Sequence, residues 1–257
     1  MGRSSYWLTY ACLFAVSREA IVFRLFHRVG VVLLSAWLTL GVTSSLAQEV
    51  PQRIGVIGTG NIGSPLARLW VEAGHEVMIS SRNPERLQPL AEELGARAWV
   101  GTPCEAAAFG EVILLAVPYA ATPQIGRDCA TELAGKVVLD AGNPRPGRDG
   151  PMAEEAVAMG AGLASQKFLP GVRLVRAFNA IAAYNLRSQA HRDGEKLAIP
   201  LAADDQAALE VAARLVTDAG FDPVVVGPLV SAKSFDFNSG VSARMPTARE
   251  LRALLNL

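Results

Sequence analysis

From Arg53 onward, short apolar runs alternate with segments whose apolar residues recur every three or four positions. Arg53–Ile57 reads as a strand buried on both faces. Asn61–Ala73 follows with Ile62, Leu66, Leu69 and Trp70 on one helical face. Further strands are predicted over Glu76–Ser80, Ala96–Val100, Glu111–Val117, Lys136–Asp140, Val172–Phe178, Leu197–Ala202 and Asp222–Val226. Helices are predicted over Pro84–Leu94, closed by Gly95, and from Thr102, with Pro103 at its first position. Others span Ala121–Leu133, Pro151–Gln166, Tyr184–Gln189 and Asp204–Asp218, and a last one starts near Thr247. Strands alternating with helices predict an α/β fold: a Rossmann-type, doubly wound, mostly parallel sheet in a single domain.

The pattern before Arg53 is different. Val29–Ala47 is an uncharged, mostly apolar run preceded by Arg24, His27 and Arg28 and ending Ser45-Leu46-Ala47. Basic flank, apolar core and small-x-small site describe a secretory signal peptide, with a mature chain beginning at Gln48. The run is also near the ~20 residues that span a bilayer, so a membrane anchor is the alternative. Residues 1–47 are thus a leader and residues 48–257 the folded part. The expected location is exported or periplasmic, with the membrane engaged only through the leader.

The first strand, glycine turn and helix carry the chemistry. Gly58, Gly60 and Gly63 stand in G-x-G-x-x-G spacing between them, the context a dinucleotide fingerprint requires. Gly58 permits the tight turn, Gly60 lets a pyrophosphate approach the backbone, and Gly63 lets helix and strand pack closely. The phosphates would rest on free N–H groups at the helix start. A tight turn without a ligand is the plain alternative. After the second strand, Ser80-Ser81-Arg82 stands where an NAD site carries an acidic residue. Small hydroxyls and an arginine suit a 2′-phosphate, so NADP(H) is expected rather than NAD. The same segment also reads as a loop leading to a helix capped by Asn83. Pro118 and Tyr119 end the fourth strand, either at the cofactor edge or as a simple terminator. Ala141-Gly142-Asn143-Pro144 makes a turn at that same edge.

Composition narrows the choice. The chain has 257 residues, 51% hydrophobic and 19% charged, enough to bury a sizeable core. Formal net charge is +0, but residues 1–47 carry four arginines against one glutamate, leaving the folded part at −3. No basic stripe there argues for nucleic acid. Cys104 and Cys129 show no metal-type spacing and read as ordinary helix residues; no metal site is expected. His75 and His191 have no evident nucleophile partner and read as surface residues, and no Ser-His-Asp or paired-carboxylate set is present.

Taken together, Ile54-Gly-Val-Ile-Gly-Thr-Gly-Asn-Ile-Gly63, Ser80-Ser81-Arg82-Asn83-Pro84, Ala116-Val117-Pro118, Val138-Leu139-Asp140-Ala141-Gly142-Asn143-Pro144 and Arg176-Ala177-Phe178-Asn179 resemble the NADP oxidoreductases that work with the deazaflavin coenzyme F420. The resemblance covers roughly residues 52–257. It implies direct hydride transfer between NADPH and a flavin-like ring, by positioning rather than by a catalytic acid. It implies that Gly58, Thr59, Gly60, Asn61 and Ile62 hold the pyrophosphate and that Ser81 and Arg82 hold the 2′-phosphate. Ala116, Val117, Pro118, Asn179 and Ala180 would frame the nicotinamide and second ring. Gly63, Ser80 and Asn143 complete the expected cofactor-binding set. The expected partner is a small-molecule redox acceptor: F420, another flavin, a quinone-like molecule or a metal chelate. A homodimer is compatible with this reading. Two other readings stand beside it: a reductase of small imines or 3-hydroxy acids, and a nucleotide-binding module without turnover.

Overall fold

The computed structural model describes residues 51–241 and 244–257; the leader over 1–47 lies outside the described residues. Among the described residues eight strands form one sheet: β1 (Arg53–Ile57), β2 (Glu76–Ser80), β3 (Ala98–Gly101), β4 (Val112–Leu115), β5 (Val137–Asp140), β6 (Arg173–Arg176), β7 (Ala198–Ala202) and β8 (Asp222–Gly227). Their order is β3-β2-β1-β4-β5-β6-β7-β8. The chain therefore reverses its direction of travel between β1 and β4, the place where such sheets open a ligand crevice. The helices are α1 (Gly63–Glu72), α2 (Gln88–Leu94), α3 (Pro103–Phe109), α4 (Thr122–Asp128), α5 (Ala130–Leu133), α6 (Pro146–Asp149), α7 (Pro151–Met159), α8 (Ala161–Phe168), α9 (Ala183–Ser188), α10 (Gln206–Asp218) and α11 (Ala248–Leu255).

Successive strand residues supply opposite cores, which explains the unbroken apolar runs. Ile54, Val56, Val112, Leu114, Val137 and Leu139 join α1 and α10 in one cluster around Trp70, Phe178 and Phe221. Ile57, Ile113, Leu115 and Val138 face the other way and pack with Ala106, Leu133 and Leu169. Trp70 satisfies its indole by donating to the Leu215 carbonyl at 2.8 Å, so the aromatic can be fully buried.

The structure corrects the sequence reading in several places. The sheet is parallel from β3 to β6, but β6 and β7 are antiparallel and meet at a single pair, Arg176 and Ala202. The last two strands are parallel to each other and run against the rest. The helix expected over 121–133 breaks at Cys129, and that over 151–166 breaks at Gly160, whose φ of +98° no right-handed helix contains. Asn83 makes no side-chain cap; its N–H instead donates to Ser81 Oγ at 3.0 Å. Thr102, by contrast, closes the expected cap reciprocally with Glu105. His75 is buried rather than on the surface. Its Nδ1 accepts from the Gln52 N–H at 3.1 Å, so Nε2 carries the proton and donates to Asp218 at 3.0 Å. His191 is exposed, as expected. Cys104 and Cys129 form a disulfide, with Cα atoms 5.0 Å apart, tying α3 to the junction of α4 and α5. The pairing depends on tertiary proximity, which the 25-residue separation does not disclose. Among the described residues no helix is long and apolar enough to cross a membrane, and no cluster of three metal-ligating side chains exists.

Candidate functional site

The glycine turn lies at the carboxyl end of β1, and each glycine has a measurable reason. Gly58 has φ +98°, and a Cβ there would lie 2.7 Å from the Ala116 carbonyl oxygen. At Gly63 a Cβ would fall 2.0 Å from the Gly58 carbonyl oxygen, so only glycine lets α1 begin so close to β1. A Cβ at Gly60 would meet nothing within 4 Å, because that face opens onto the cleft. The N–H groups of Gly60, Asn61 and Ile62 donate to no carbonyl among the described residues. Thr59 and Ser80 hold the turn, and Thr59 also lines the cavity along α1. The Ser80 carbonyl accepts from Thr59 Oγ1 at 2.8 Å and from the Gly58 N–H at 3.3 Å. Ser80 is wholly buried, and its hydroxyl donates to the Val56 carbonyl at 2.9 Å, so it is not available to a phosphate as expected.

A cleft of about 580 Å³ runs along the carboxyl ends of β1, β4, β5 and β6. It brings together Gly60, Asn61 and Ile62 from the turn, Ala116, Val117 and Pro118 after β4, Asn143 after β5 and Asn179 after β6. Those eight expected positions thus line one space. A second cavity of about 640 Å³ continues from Thr59, Gly60 and Asn61 along α1, past Ser64 and Arg68, to Arg187 on α9. Ser81 and Arg82 stand outside both linings, on the flank after β2; Arg82 is exposed and has no ion pair among the described residues. Ala180 turns away from the cleft and packs with the cluster of β7 and β8; Ile181, Ala182 and Ala183 line it instead. Tyr119 also turns inward, wholly buried, donating its hydroxyl to the Ala161 carbonyl at 3.1 Å. Burial, reinforced by Asp140, pushes its phenol well above the usual range, so it stays protonated.

The floor rests on a buried charge network that the sequence did not disclose. Arg176 Nη1 donates to Asp140 Oδ2 at 2.8 Å and to the Gly142 carbonyl at 2.7 Å, while Nη2 donates to Asp236 Oδ1 at 2.9 Å. Asp140 Oδ1 accepts from the Gly142 N–H at 2.8 Å, and Asp236 Oδ2 from the Ala161 N–H at 2.9 Å. Burial would push the guanidinium down, but Asp140 and Asp236 outweigh it and raise its pKa. The Gly142-Asn143 turn is thereby fixed at both its N–H and its carbonyl. Asn143 Nδ2 donates to the Asn179 carbonyl at 2.8 Å, and Asn179 Nδ2 to the Phe235 carbonyl at 3.2 Å. Both Oδ1 atoms are buried without a partner. Phe178 presents Asn179 from a left-handed backbone, φ +59°. Its ring is wedged edge-on against Trp70 and Phe221, at 6.1 and 6.5 Å, and this packing holds the strain.

Gly142 and Phe178, from motifs read at this edge, also line the cleft, as do Arg145, Arg148, Ile181 and Phe237, which were not expected. The two arginines follow the Gly-Asn-Pro turn directly, a local clue; Phe237 arrives from a distant loop. Among the described residues the lining contains no Asp, Glu, His, Cys, Lys or Tyr.

These features fit a dinucleotide: open backbone at Gly60, unsatisfied N–H groups at a helix start, and, beneath the lining, buried amide oxygens of Asn143 and Asn179 without a partner among the described residues. Residues 53–144 match the family described as NADP oxidoreductase, coenzyme F420-dependent. The chain is 33% identical over 177 residues to an F420-dependent NADP reductase of Methanothermobacter thermautotrophicus, covering 63% of this chain and 75% of that one. It is 30% identical over 199 residues to metalloreductase STEAP3 of Rattus norvegicus, covering 76% of this chain but spanning only 38% of that relative's length. A structure of a hypothetical protein from Sinorhizobium meliloti superposes with a TM-score of 0.65 at 25% identity, covering 78% of this chain and 97% of that one. The glycine turn, the strand-end motifs and this reductase likeness agree: the chain belongs to the coenzyme F420-dependent NADP oxidoreductases, a family of NADP-dependent oxidoreductases.

Proposed function

We propose that the protein transfers a hydride between NADP(H) and a deazaflavin such as F420, or a flavin-like ring, held face to face in the 580 Å³ cleft. The observation that carries this reading is the lining itself, an apolar wall of Ala116, Val117 and Pro118 with Ile181 and Phe237, which among the described residues offers no side chain able to deliver or take a proton at neutral pH. Reduction of a carbonyl or imine calls for a proton donor at the reacting atom. Transfer to a flavin-like ring calls for two planes held close and water kept out. The chemistry that bound NADP(H) supplies is one hydride, which with a proton from solvent reduces the acceptor ring by two electrons.

In this reading the N–H groups of Gly60, Asn61 and Ile62 bind the pyrophosphate. Ser81 Oγ and Arg82 read the 2′-phosphate. Ala116, Val117 and Pro118 form the apolar wall against the rings, and the free oxygens of Asn143 and Asn179 accept from the cofactor carboxamide. Export through residues 29–47 belongs to the same proposal. The Cys104–Cys129 disulfide supports it, since such bonds persist outside the reducing cytosol.

Anaerobic NADPH oxidation with F420, FMN and a cyclic imine tests the function. Reduction of F420 or FMN without the imine is expected. Turnover of the imine alone overturns it. A chelated ferric salt belongs in the same screen, because the rat relative is a metalloreductase.

A further inference from the structure

Arg145 stands at the N-cap of α6. It is exposed, lies in the cleft lining, and has no carboxylate partner among the described residues. Its neighbour Arg148 is neutralised, donating to Asp149 at 2.7 and 2.8 Å. The Arg145 guanidinium instead lies over the Phe237 ring, 4.4 Å from the centroid. Both halves of this pair are anchored from behind. The Arg145 N–H donates to Asp149 Oδ2 at 2.9 Å, and Phe237 directly follows Asp236, which is locked to Arg176 and to the start of α8. The guanidinium face is therefore fixed on an aromatic surface while its hydrogen-bonding edge stays open.

The cofactor phosphates do not account for this charge. The pyrophosphate has the glycine turn, and the 2′-phosphate has Arg82 after β2. In the order β2-β1-β4-β5, Arg145 follows the strand three places from β2. At about 4.8 Å per strand that is roughly 14 Å away across the sheet. What remains is the other reactant. Resting on the hydride-transfer reading above, we propose that Arg145, held by Phe237, is an acceptor-specificity residue that selects planar rings bearing a carboxylate or phosphate substituent. A guanidinium stacked on an aromatic still offers its edge to an anion, in bidentate fashion, where a lysine would not.

FMN and riboflavin share one ring and differ by a phosphate, so their ratio isolates the charge. Binding of each to the full protein loaded with NADP+ is followed by flavin fluorescence. The wild type should bind FMN more tightly than riboflavin. Arg145→Ala should weaken FMN roughly tenfold, bringing the ratio near one, while Arg145→Lys restores part of the preference. NADPH affinity should hold in both variants. A wild type without preference for FMN, an unchanged ratio, equal loss for both flavins, or a loss confined to NADPH overturns the proposal. FMN preference lost in Arg145→Ala but with no NADPH oxidation by the wild type supports the anion site and refutes hydride transfer. Binding of neither flavin refutes both.

Discussion

Asn143 Nδ2 donates to the Asn179 carbonyl at 2.8 Å, and this bond joins the turns after β5 and β6 across the cleft floor. It leaves the Oδ1 of each asparagine buried and, among the described residues, without a hydrogen-bond partner. Asn143→Ala removes one acceptor and the link itself. A single hydrogen bond contributes ~0.5–1.5 kcal/mol, so NADPH binding should weaken roughly 2- to 13-fold. Calorimetric titration measures it; unchanged affinity would return both residues to a purely structural role.

The three glycines should separate in their effects. Gly60 has room for a side chain and no positive φ, so Gly60→Val should keep the wild-type Tm yet lose NADPH binding. Gly63→Ala collides with the Gly58 carbonyl and should lower stability by about 1–3 kcal/mol or more. Paired melting and binding curves check both. A Gly60→Val protein that binds normally would remove the pyrophosphate from this turn.

Arg82 should set cofactor choice. A charged hydrogen bond contributes ~1.5–3 kcal/mol, so Arg82→Ala should weaken NADPH roughly 10- to 150-fold and leave NADH nearly unchanged. Ser81→Asp should invert the preference by repelling the phosphate. The ratio of the two dissociation constants is the readout, and equal losses would sink the assignment.

Acid should loosen the Arg145 side of the cleft through Asp149. Burial raises this carboxyl, but hydrogen bonds from Arg148, the Arg145 N–H and the Ala120 N–H outweigh it and hold its pKa below the ordinary value. Its contribution is complete above the unfolded value of about 3.9 and is lost as pH falls through the lower folded value. Between about pH 5 and pH 2 the wild type should therefore lose more Tm than Asp149→Asn does. Parallel curves would contradict this.

The disulfide should be felt in stability rather than chemistry. Cys104 and Cys129 close a loop 25 residues apart, and neither lines the cleft. Cys129→Ser should cost roughly 2–4 kcal/mol, and reductant should do the same to the wild type. Denaturant midpoints with and without reductant check it.

What the sequence disclosed was local. The glycine turn and the strand-end motifs at Ala116–Pro118, Asn143 and Asn179 each occupy a few consecutive positions, and strand period places them at one edge of the sheet. What it hid was long-range. Nothing near Cys104 points to Cys129, nothing near Arg145 points to Phe237, and His75 reads as exposed because its partners are Gln52 and Asp218. Ser80 was misjudged for a subtler reason. Its polarity suggested a ligand, but a buried hydroxyl can spend itself on the neighbouring strand's carbonyl.

Asp236 lies 60 residues beyond Arg176, which lies 36 beyond Asp140. During synthesis the arginine emerges with one carboxylate behind it and waits for the other. Until the later segment folds back, the guanidinium lacks half of its compensation, and an unpaired buried charge is costly by several kcal/mol. Strands β1 to β5 all precede Arg176 and Asp236 in the chain. The floor of the cleft is thus complete only with all three charged members in place, the last of them supplied from beyond β8.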